Sequence, residues 1–519
     1  MKKTFELHIY HTSDTHGHLT SDSYSGLKSL PKGLSRVASY FKTQDFKNQI
    51  RIDTGDTVQG SPLAYIYKEN QSNFHPFAEV LNTLDYDYFV PGNHDFNYGL
   101  PYLHHMIDSL DAKTLCANVF IKQDLYFKYA YDIKSYESGP KVAVIGITNN
   151  YIPNWEPEDN IKSLIFQNAY ASAKMMVEEV KKKENPDYIV VAYHGGYECN
   201  PLTGENESKN SDENLGCKIF TMIKDIDLLL TGHEHRLIKH QDQHRHIFQV
   251  GYAASHVSHT KITFAKDEAW KIENVEGELV SMDPYEDDKH VLSLLSDFLA
   301  FSNKKLDQVI GQTKGNFLIS DPLQARLHKH IVFQYINEVQ MKTTGAMISC
   351  CGLGNDVTGF HETITLRDVL NTYVFPNTLF LCEITGKDLL KALNHNAEFF
   401  KLDESHDISI SNHYLYPKKE LYNYDIFDGI VYSICLYKDK SNVVKDVMYQ
   451  GKPIKDDQVY TIVLNSYRMS GGGNITWHQN LKVIKAYTLD ITEILINDIQ
   501  SKHHIEVAYN KNINIVKCN

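Results

Sequence analysis

Cysteine is scarce in this chain. There are eight among 519 residues, with Cys350 and Cys351 adjacent, Cys518 almost at the end and no CxxC pair. That pattern excludes a disulfide-dense small scaffold and a cysteine-rich zinc module, and it predicts a reducing compartment. No run reaches the apolar length of a membrane span. MKKTFELHIYHTSD enters a strand pattern at once and leaves no room for a secretory hydrophobic region and cleavage site. The location expected is therefore cytoplasmic, with export after loss of a leader as the alternative. Positive charge is also in deficit: 52 Lys and Arg stand against 65 Asp and Glu, a formal net charge of -13. A surface for a nucleic-acid polymer is excluded on that ground, but a small anionic ligand held by bound cations is not. The one basic run, Lys181 to Lys183, closes a helical pattern beside Glu178 and Glu179 and is explained by helix-end electrostatics.

Apolar strand patterns that end in polar punctuation are abundant. LHIYHTS leads into Asp14 and His16, QIRIDTG into Asp56, YDYFVPG into Asn93 and His94, DYIVVAY into His194, and DIDLLLTG into His233 and His235. Helical patterns lie between them, among them GLSRVASYFKTQ, HPFAEVLNTL and SAKMMVEEVKKK, so strands alternate with crossover helices as in an α/β layer fold. Loops at the carboxyl ends of such strands can bring sequence-distant residues into one cleft. Asp14 and His16 sit two apart, as do His233 and His235, a spacing that turns both side chains to one face if strand geometry persists.

Carboxylate, imidazole and amide oxygen in this mixture suit manganese, zinc, iron or nickel better than calcium or magnesium. Asp56 can offer one oxygen to each of two ions. Two such ions clamp a phosphoryl group and lower the pKa of a shared water, so the constellation predicts a two-metal phosphoester hydrolase. Asn93 already supplies a ligand from its turn, which leaves the neighbouring His94 free to stabilise transferring oxygens or to protonate a leaving group. Among 26 histidines, isolated ones such as His8, His75, His104 and His246 are read as surface or structural residues.

The stretches HTSDTHGHL (11–19), IDTGDTVQGSP (52–62), PGNHDFNYG (91–99), AYHGG (192–196) and TGHEHR (231–236) resemble bacterial 5'-nucleotidases and 2',3'-cyclic-nucleotide phosphodiesterases of the calcineurin-like metallophosphoesterase superfamily. The resemblance implies a four-layer α-β-β-α catalytic domain. It places one metal on Asp14, His16, Asp56 and His235, and the second on Asp56, Asn93, His194 and His233, with His94 as the catalytic histidine. Where 5'-nucleotidases carry an aspartate three residues after that histidine, this chain has Asn97. An amide orients an imidazole without stabilising its cation as a carboxylate does. In that respect the chain is closer to the cyclic phosphodiesterases.

RDVLNTYVFPNTL (367–379), EITGKDLLKAL, YNYDIFDGIVY (422–432) and NSYRMSGGGN (465–474) resemble the α+β nucleotide-binding domain of 2',3'-cyclic-nucleotide 2'-phosphodiesterase/3'-nucleotidases. By that resemblance Tyr424 and Tyr467 sandwich the base, a sequence-tolerant contact. The Gly471, Gly472 and Gly473 run permits close backbone approach to a ligand, and Arg367 and Arg468 are candidates for charge contacts. Core alternation of Tyr422, Tyr424 and Tyr432 on a strand is the competing reading of the tyrosines. The region MISCCGLGNDVTGF (347–360) lacks the Asn-Gly-Gly-Ile-Arg stretch usual in enzymes that cleave 5' monoesters.

At 59.6 kDa the chain exceeds one hydrophobic core. The division expected is a phosphoesterase domain at 1–275, a linker with an amphipathic helix at 276–311, and a substrate-binding domain at 312–519. The insert ECNPLTGENESKNSDENLG, at 198–216, reads as an exposed loop over or beside the site. The leading functional expectation is hydrolysis of 2',3'-cyclic nucleotides and 3'-nucleotides. The alternatives are a 5'-nucleotidase or nucleotide-sugar hydrolase, and an inactive nucleotide-binding protein. The partner expected is a small nucleotide, with neither membrane nor nucleic-acid polymer, and the oligomeric state is left open.

Overall fold

A computed structural model describes residues 3–22, 30–207, 212–373, 375, 377–416, 418–439 and 441–518. It divides into two compact units, residues 1–302 and 303–519. The main strands of the first unit are β1 (Lys3–Thr12), β2 (Gln49–Asp53), β3 (Tyr88–Phe89), β4 (Lys113–Thr114), β5 (Tyr131–Ser135), β6 (Lys141–Ile147), β7 (Tyr188–Tyr193), β8 (Leu228–Thr231), β9 (Leu237–Asp242), β10 (Arg245–Val250), β11 (His256–Lys266) and β12 (Trp270–Ser281). They form two six-stranded sheets, in the orders β12-β11-β1-β2-β3-β4 and β9-β10-β8-β7-β6-β5.

Period-2 side-chain alternation explains why the strands read as continuous apolar runs. On β7, Tyr188, Val190 and Ala192 join Leu7, Ile9, Ile50 and Ile52 of the other sheet in the core between the sheets. Ile189, Val191 and Tyr193 point the opposite way, to a core shared with Ala173, Val177 and Val180 of the helix Ala169–Glu184. The outer face of the first sheet is covered in turn by the helices Leu34–Lys42, Pro62–Glu69 and Pro76–Thr83, through Val37, Phe41, Leu63, Phe77 and Val80. These are the four layers expected.

The helix ends follow local chemistry. Ser61 caps Pro62–Glu69 by accepting from Ala64 N, with Pro62 in the first turn, where no N–H is needed. Asn168 caps Ala169–Glu184, which ends on left-handed Asn185 with Lys181, Lys182 and Lys183 in its last turn.

Strand β12 runs on past residue 275 to Ser281. Along the helices Lys289–Leu294 and Ser296–Leu306 and the single residue between them, Val291 and Leu295 are buried in the first unit's core and Leu294, Phe298 and Leu299 pack against it. The amphipathic segment thus closes that core in its first part.

The second unit holds a five-stranded sheet of β13 (Ile348–Cys351), β14 (Thr378–Thr385), β15 (Ile426–Asp428), β16 (Val459–Asn465) and β17 (Lys482–Asp490), in the order β15-β13-β16-β14-β17. Helices Ile331–Thr344 and Gly386–Ala397 supply Phe333, Ile336, Leu389 and Leu393 to its core. It is an α+β domain.

Candidate active site

The parallel register of the first sheet sets Thr12 opposite Asp53 and Asp53 opposite Phe89, so β1, β2 and β3 end at one level. In the second sheet Tyr193 pairs with Thr231, the last residues of β7 and β8. The loops after these five strands carry every metal-ligand candidate. Two groups form: Asp14, His16 and His235 converge in one, and Asp56, His194 and His233 in the other, with the ligand atoms of each group within 4.8 Å of one another. Asn93 Oδ1 lies 3.0 Å from His194 Nε2 and 2.8 Å from His233 Nδ1.

The residues fit a pair of cations. Asp56 Oδ2 is buried without a hydrogen-bond partner. It lies 3.3 Å from His194 Nε2 and 3.9 Å from His16 Nε2, between the two groups. His16 Nδ1 faces Gln59 O at 2.9 Å and His194 Nδ1 faces Thr54 O, so each donates there and turns a lone pair on Nε2 inward. His233 is arranged the other way round. Its Nε2 faces Glu213 Oε1 at 3.1 Å and its Nδ1 points to Asn93. The ligand set could therefore hold two divalent ions.

The electrostatics agree with a cation site. Burial pushes the Asp14 carboxyl up to about 7, opposed by the His194 charge. Burial works to raise Asp56 as well, yet the surrounding imidazoles, His194 foremost, hold it well below the carboxylate range. Burial, the largest single effect, would depress His194, but the Asp56 contact, the Asp14 charge and the Thr54 carbonyl together lift the imidazole to about 9. Burial lowers His16 to about 4.

One reason given by spacing is corrected. Strand β1 ends at Thr12, before the ligands, and Asp14, His16, Asp56, His233 and His235 all have left-handed backbone, with φ of 53, 48, 56, 70 and 59°. Strained turns aim these side chains, and strand alternation does not. Buried Asp95 holds one such turn, accepting from the N–H groups of Gly92, Asp56 and Thr57 at 2.8 to 2.9 Å. Gly92 is required at its position, because a Cβ there would lie 2.3 Å from Asp56 Oδ1.

His94 lies at the rim, with its backbone N–H on Asp56 Oδ1 at 2.6 Å and its ring against that of His16 at 5.3 Å. Its Nδ1 meets Asn97 Oδ1 at 2.7 Å. Asn97 donates in turn to Glu156. Trp155, next to it, stacks on His233 at 5.2 Å. Neither Trp155 nor Glu156 was reached by sequence reasoning, nor was Glu213. The signal for the first two was a sixth apolar run, KVAVIGI, whose carboxyl end leads into NNYIPNWE.

The substrate-binding candidates fare differently. Tyr424 is fully buried and its ring is covered by Phe399, 4.8 Å away, and Phe400, so it presents no face to a ligand. Half-buried Tyr467 instead has Tyr422 beside it at 6.1 Å, and Phe375 stands 6.1 Å from Tyr422. Arg468 is 1% exposed and its guanidinium bonds Asp425, Asn423 Oδ1, Gly472 O and Tyr422 O. Arg367 bonds Asp307 and Asn303. Both arginines, candidates for charge contacts, thus have structural partners within the second unit. Gly471 adopts φ 87°, and a Cβ on Gly472 would press 2.5 Å from the Tyr467 ring, so the glycines let the chain fold over that tyrosine. Of the isolated histidines, His8, His75 and His246 are buried, each 2% exposed or less.

Residues 7–237 match the family of calcineurin-like phosphoesterases, and residues 309–480 match the 5'-nucleotidase C-terminal domain. With the metal-ligating cluster in place, the chain is a metal-dependent phosphoesterase. A candidate 5'-nucleotidase from Staphylococcus aureus, solved with alpha-ketoglutarate, superposes with TM-score 0.89 at 28% identity, over 99% of this chain and 100% of that one. The 2',3'-cyclic-nucleotide 2'-phosphodiesterase/3'-nucleotidase of Haemophilus influenzae is 25% identical over 91% of this chain and 81% of that protein. The chain belongs to the bacterial calcineurin-like metallophosphoesterases of the 2',3'-cyclic-nucleotide phosphodiesterase/3'-nucleotidase type.

The expected cytoplasmic location is overturned. Relatives of this architecture favour export. They include Protein UshA of Escherichia coli, 22% identical over 91% of this chain and 86% of that one. A 5'-nucleotidase precursor from Thermus thermophilus shares the fold, with TM-score 0.69 at 19% identity over 99% of both chains. Cys199 and Cys217 form a disulfide, against the reducing compartment expected from the cysteine pattern, since a disulfide belongs to an oxidising one. Among the described residues no helix is long and apolar enough to cross a membrane.

Proposed function

We propose that the protein hydrolyses nucleotide phosphoesters, with Asp14, His16, Asp56 and His235 holding one divalent ion and Asp56, Asn93, His194 and His233 the other. The observation that carries this reading is the buried Asp56 Oδ2, which accepts no hydrogen bond and lies between two converging sets of ligand atoms. Bound ions would supply charge for the phosphoryl oxygens and an acidified water. His94 has its Nδ1 engaged by Asn97, which leaves Nε2 to carry a proton to the leaving oxygen. Asn93 acts beside it by fixing the turn and the second ligand set. Tyr467, with Tyr422 at its edge, stacks the base, and Gly471 and Gly472 shape the backbone around it.

Of the substrate readings, hydrolysis of 5'-nucleotides has the fuller structural support, from the Staphylococcus aureus relative matched over nearly its whole length. Hydrolysis of 2',3'-cyclic and 3'-nucleotides is the second reading, supported by the Haemophilus influenzae relative and by Asn97 in place of an aspartate. Manganese and zinc are the metals best suited to the ligands.

The test is phosphate and nucleoside release from 5'-AMP, 3'-AMP and 2',3'-cyclic AMP by metal-stripped protein resupplied with Mn²⁺, Zn²⁺ or Mg²⁺. Preference for 5'-AMP supports the first reading, and preference for the cyclic and 3' substrates supports the second. Silence on all three with every metal overturns both.

A further inference from the structure

His94 is joined to Glu156 at one remove, through an amide that has one workable orientation when that carboxyl is ionised. Glu156 lies in the loop after β6, where its backbone N–H donates to Ile152 O at 3.0 Å. Its Oε1 accepts from Asn97 Nδ2, and Asn160 Nδ2 reaches its Oε2 at 3.3 Å while also donating to Asn97 O at 2.8 Å. Burial pushes the Glu156 carboxyl up to about 7; above that pH it is ionised and only accepts, so the end of Asn97 that faces it must be its NH₂. The other end, the carbonyl, then faces His94 Nδ1 at 2.7 Å, and a carbonyl also only accepts. His94 must therefore carry hydrogen on Nδ1, which frees Nε2 for proton exchange with a leaving group.

We propose that Glu156 is a positioning residue that sets the polarity of the Asn97–His94 pair and so fixes the His94 tautomer. This rests on the hydrolase reading only for its kinetic consequence. The carboxylate that a direct histidine–aspartate pair would place three residues after the histidine is here supplied from residue 156, with the Asn97 amide as the intermediary. Its negative charge polarises the amide, so the carbonyl end offered to His94 is a stronger acceptor than an isolated amide. Asn160 keeps the relay in line by gripping the carboxylate and the Asn97 backbone together.

The polarity argument makes a prediction that bulk or packing does not. The amide introduced by Glu156→Gln can donate as well as accept, so in that variant the Asn97 amide is free to turn and present NH₂ to His94, inverting the tautomer. Adding Asn97→Asp restores an acceptor facing His94, which the new amide at position 156 can hold in place by donating to it. Two readouts are needed. The first is the ¹H–¹⁵N spectrum of histidine-labelled, metal-free protein, recorded well above pH 7 so that Glu156 is ionised, with His94 assigned by its loss in His94→Gln. The second is kcat and KM on the nucleotide the wild type turns over best.

The expected result is an Nδ1–H tautomer in the wild type, loss of that tautomer in Glu156→Gln, and a fall in kcat of about 10- to 100-fold with KM within about twofold. Recovery of both tautomer and kcat is expected in the Asn97→Asp/Glu156→Gln protein, while Asn97→Asp alone, with two facing carboxylates, stays impaired. An unchanged tautomer in Glu156→Gln, or a double variant no better than Glu156→Gln, overturns the proposal. If Glu156→Gln does not fold, the double variant and the wild-type spectrum decide the matter. Wild-type inactivity on every nucleotide would sink the hydrolase reading alone, since the spectrum still tests the relay.

Discussion

His16 and His235, 219 residues apart in the chain, bring their Nε2 atoms to 2.9 Å. His16 Nδ1 is committed to Gln59 O, so its Nε2 holds a lone pair, which can accept from an Nε2–H of His235 or, with the His235 nitrogen, face a shared cation. Asp14 Oδ1 stands 3.6 Å from His235 Nε2 and 4.0 Å from His16 Nε2, completing the group.

Chelation should therefore lower the thermal midpoint of the first unit, and Mn²⁺ or Zn²⁺ should restore it in proportion to concentration. A ligand that binds only the folded state at 100 times its Kd stabilises by about 2.7 kcal/mol. Calorimetry of metal-stripped protein with added metal checks this. Asp56→Asn, which removes the shared carboxylate, should abolish the saturable shift.

The His94→Ala protein should keep both ions, because none of the converging ligand atoms belongs to residue 94. Its kcat should fall by about 10² to 10⁴, the usual range for losing a positioned acid or base. Metal content by elemental analysis, set beside the rate on 5'-AMP, separates the two effects.

The candidate metal ligands were legible because each combines a demanding side chain with the end of an apolar run, and few other causes produce that conjunction five times. The geometry that aims them was not legible. Asp14 and His16 share a face through positive φ in a turn, and residue spacing carries no trace of that. Tyr424 and Tyr467 failed to separate for another reason: the first follows the turn Leu421–Asn423 and the second lies in the short helix Ser466–Met469, not on the strand that alternation suggested, and a tyrosine there reads the same whether it packs on Phe399 or is only half-buried. Glu156 and Glu213 were hidden because an acidic residue in a polar loop is ordinary until its partner is known.

His75 gives the fold a measurable acid sensitivity. It is fully buried and caps the helix Pro76–Thr83 by accepting from Ala78 N. Burial lowers its pKa from 6.5 to about 3. A depressed folded-state pKa gives stability that is present above 6.5 and lost as pH falls towards 3, because the unfolded chain takes the proton first. At pH 5 this amounts to about 2 kcal/mol. His75→Asn keeps a good cap, so its stability should vary less with pH between 6.5 and 4 than that of the wild type, whatever packing it loses at neutral pH. Urea midpoints across that range measure the difference in slope.

The disulfide and Glu213 tie the insert after β7 to the metal site. Cys199 and Cys217 close a loop with a sequence separation of 18, and Glu213 within it reaches His233 Nε2 at 3.1 Å. A carboxylate on the outer nitrogen of a ligating histidine fixes its tautomer and raises its basicity, and losing such a partner costs about 10- to 100-fold in metal affinity. Glu213→Gln should thus weaken metal binding by that factor, with little change in the metal-free melting temperature. Replacing both cysteines by serine should act mainly on the fold instead, costing about 3 kcal/mol by the loop-entropy relation. It should weaken the metal only as far as the loop stops delivering Glu213. Competitive metal titration with a chromophoric chelator, run on both variants beside calorimetry, tells the two contributions apart. Equal metal affinity in Glu213→Gln and wild type would show that the contact with His233 has no bearing on the ions.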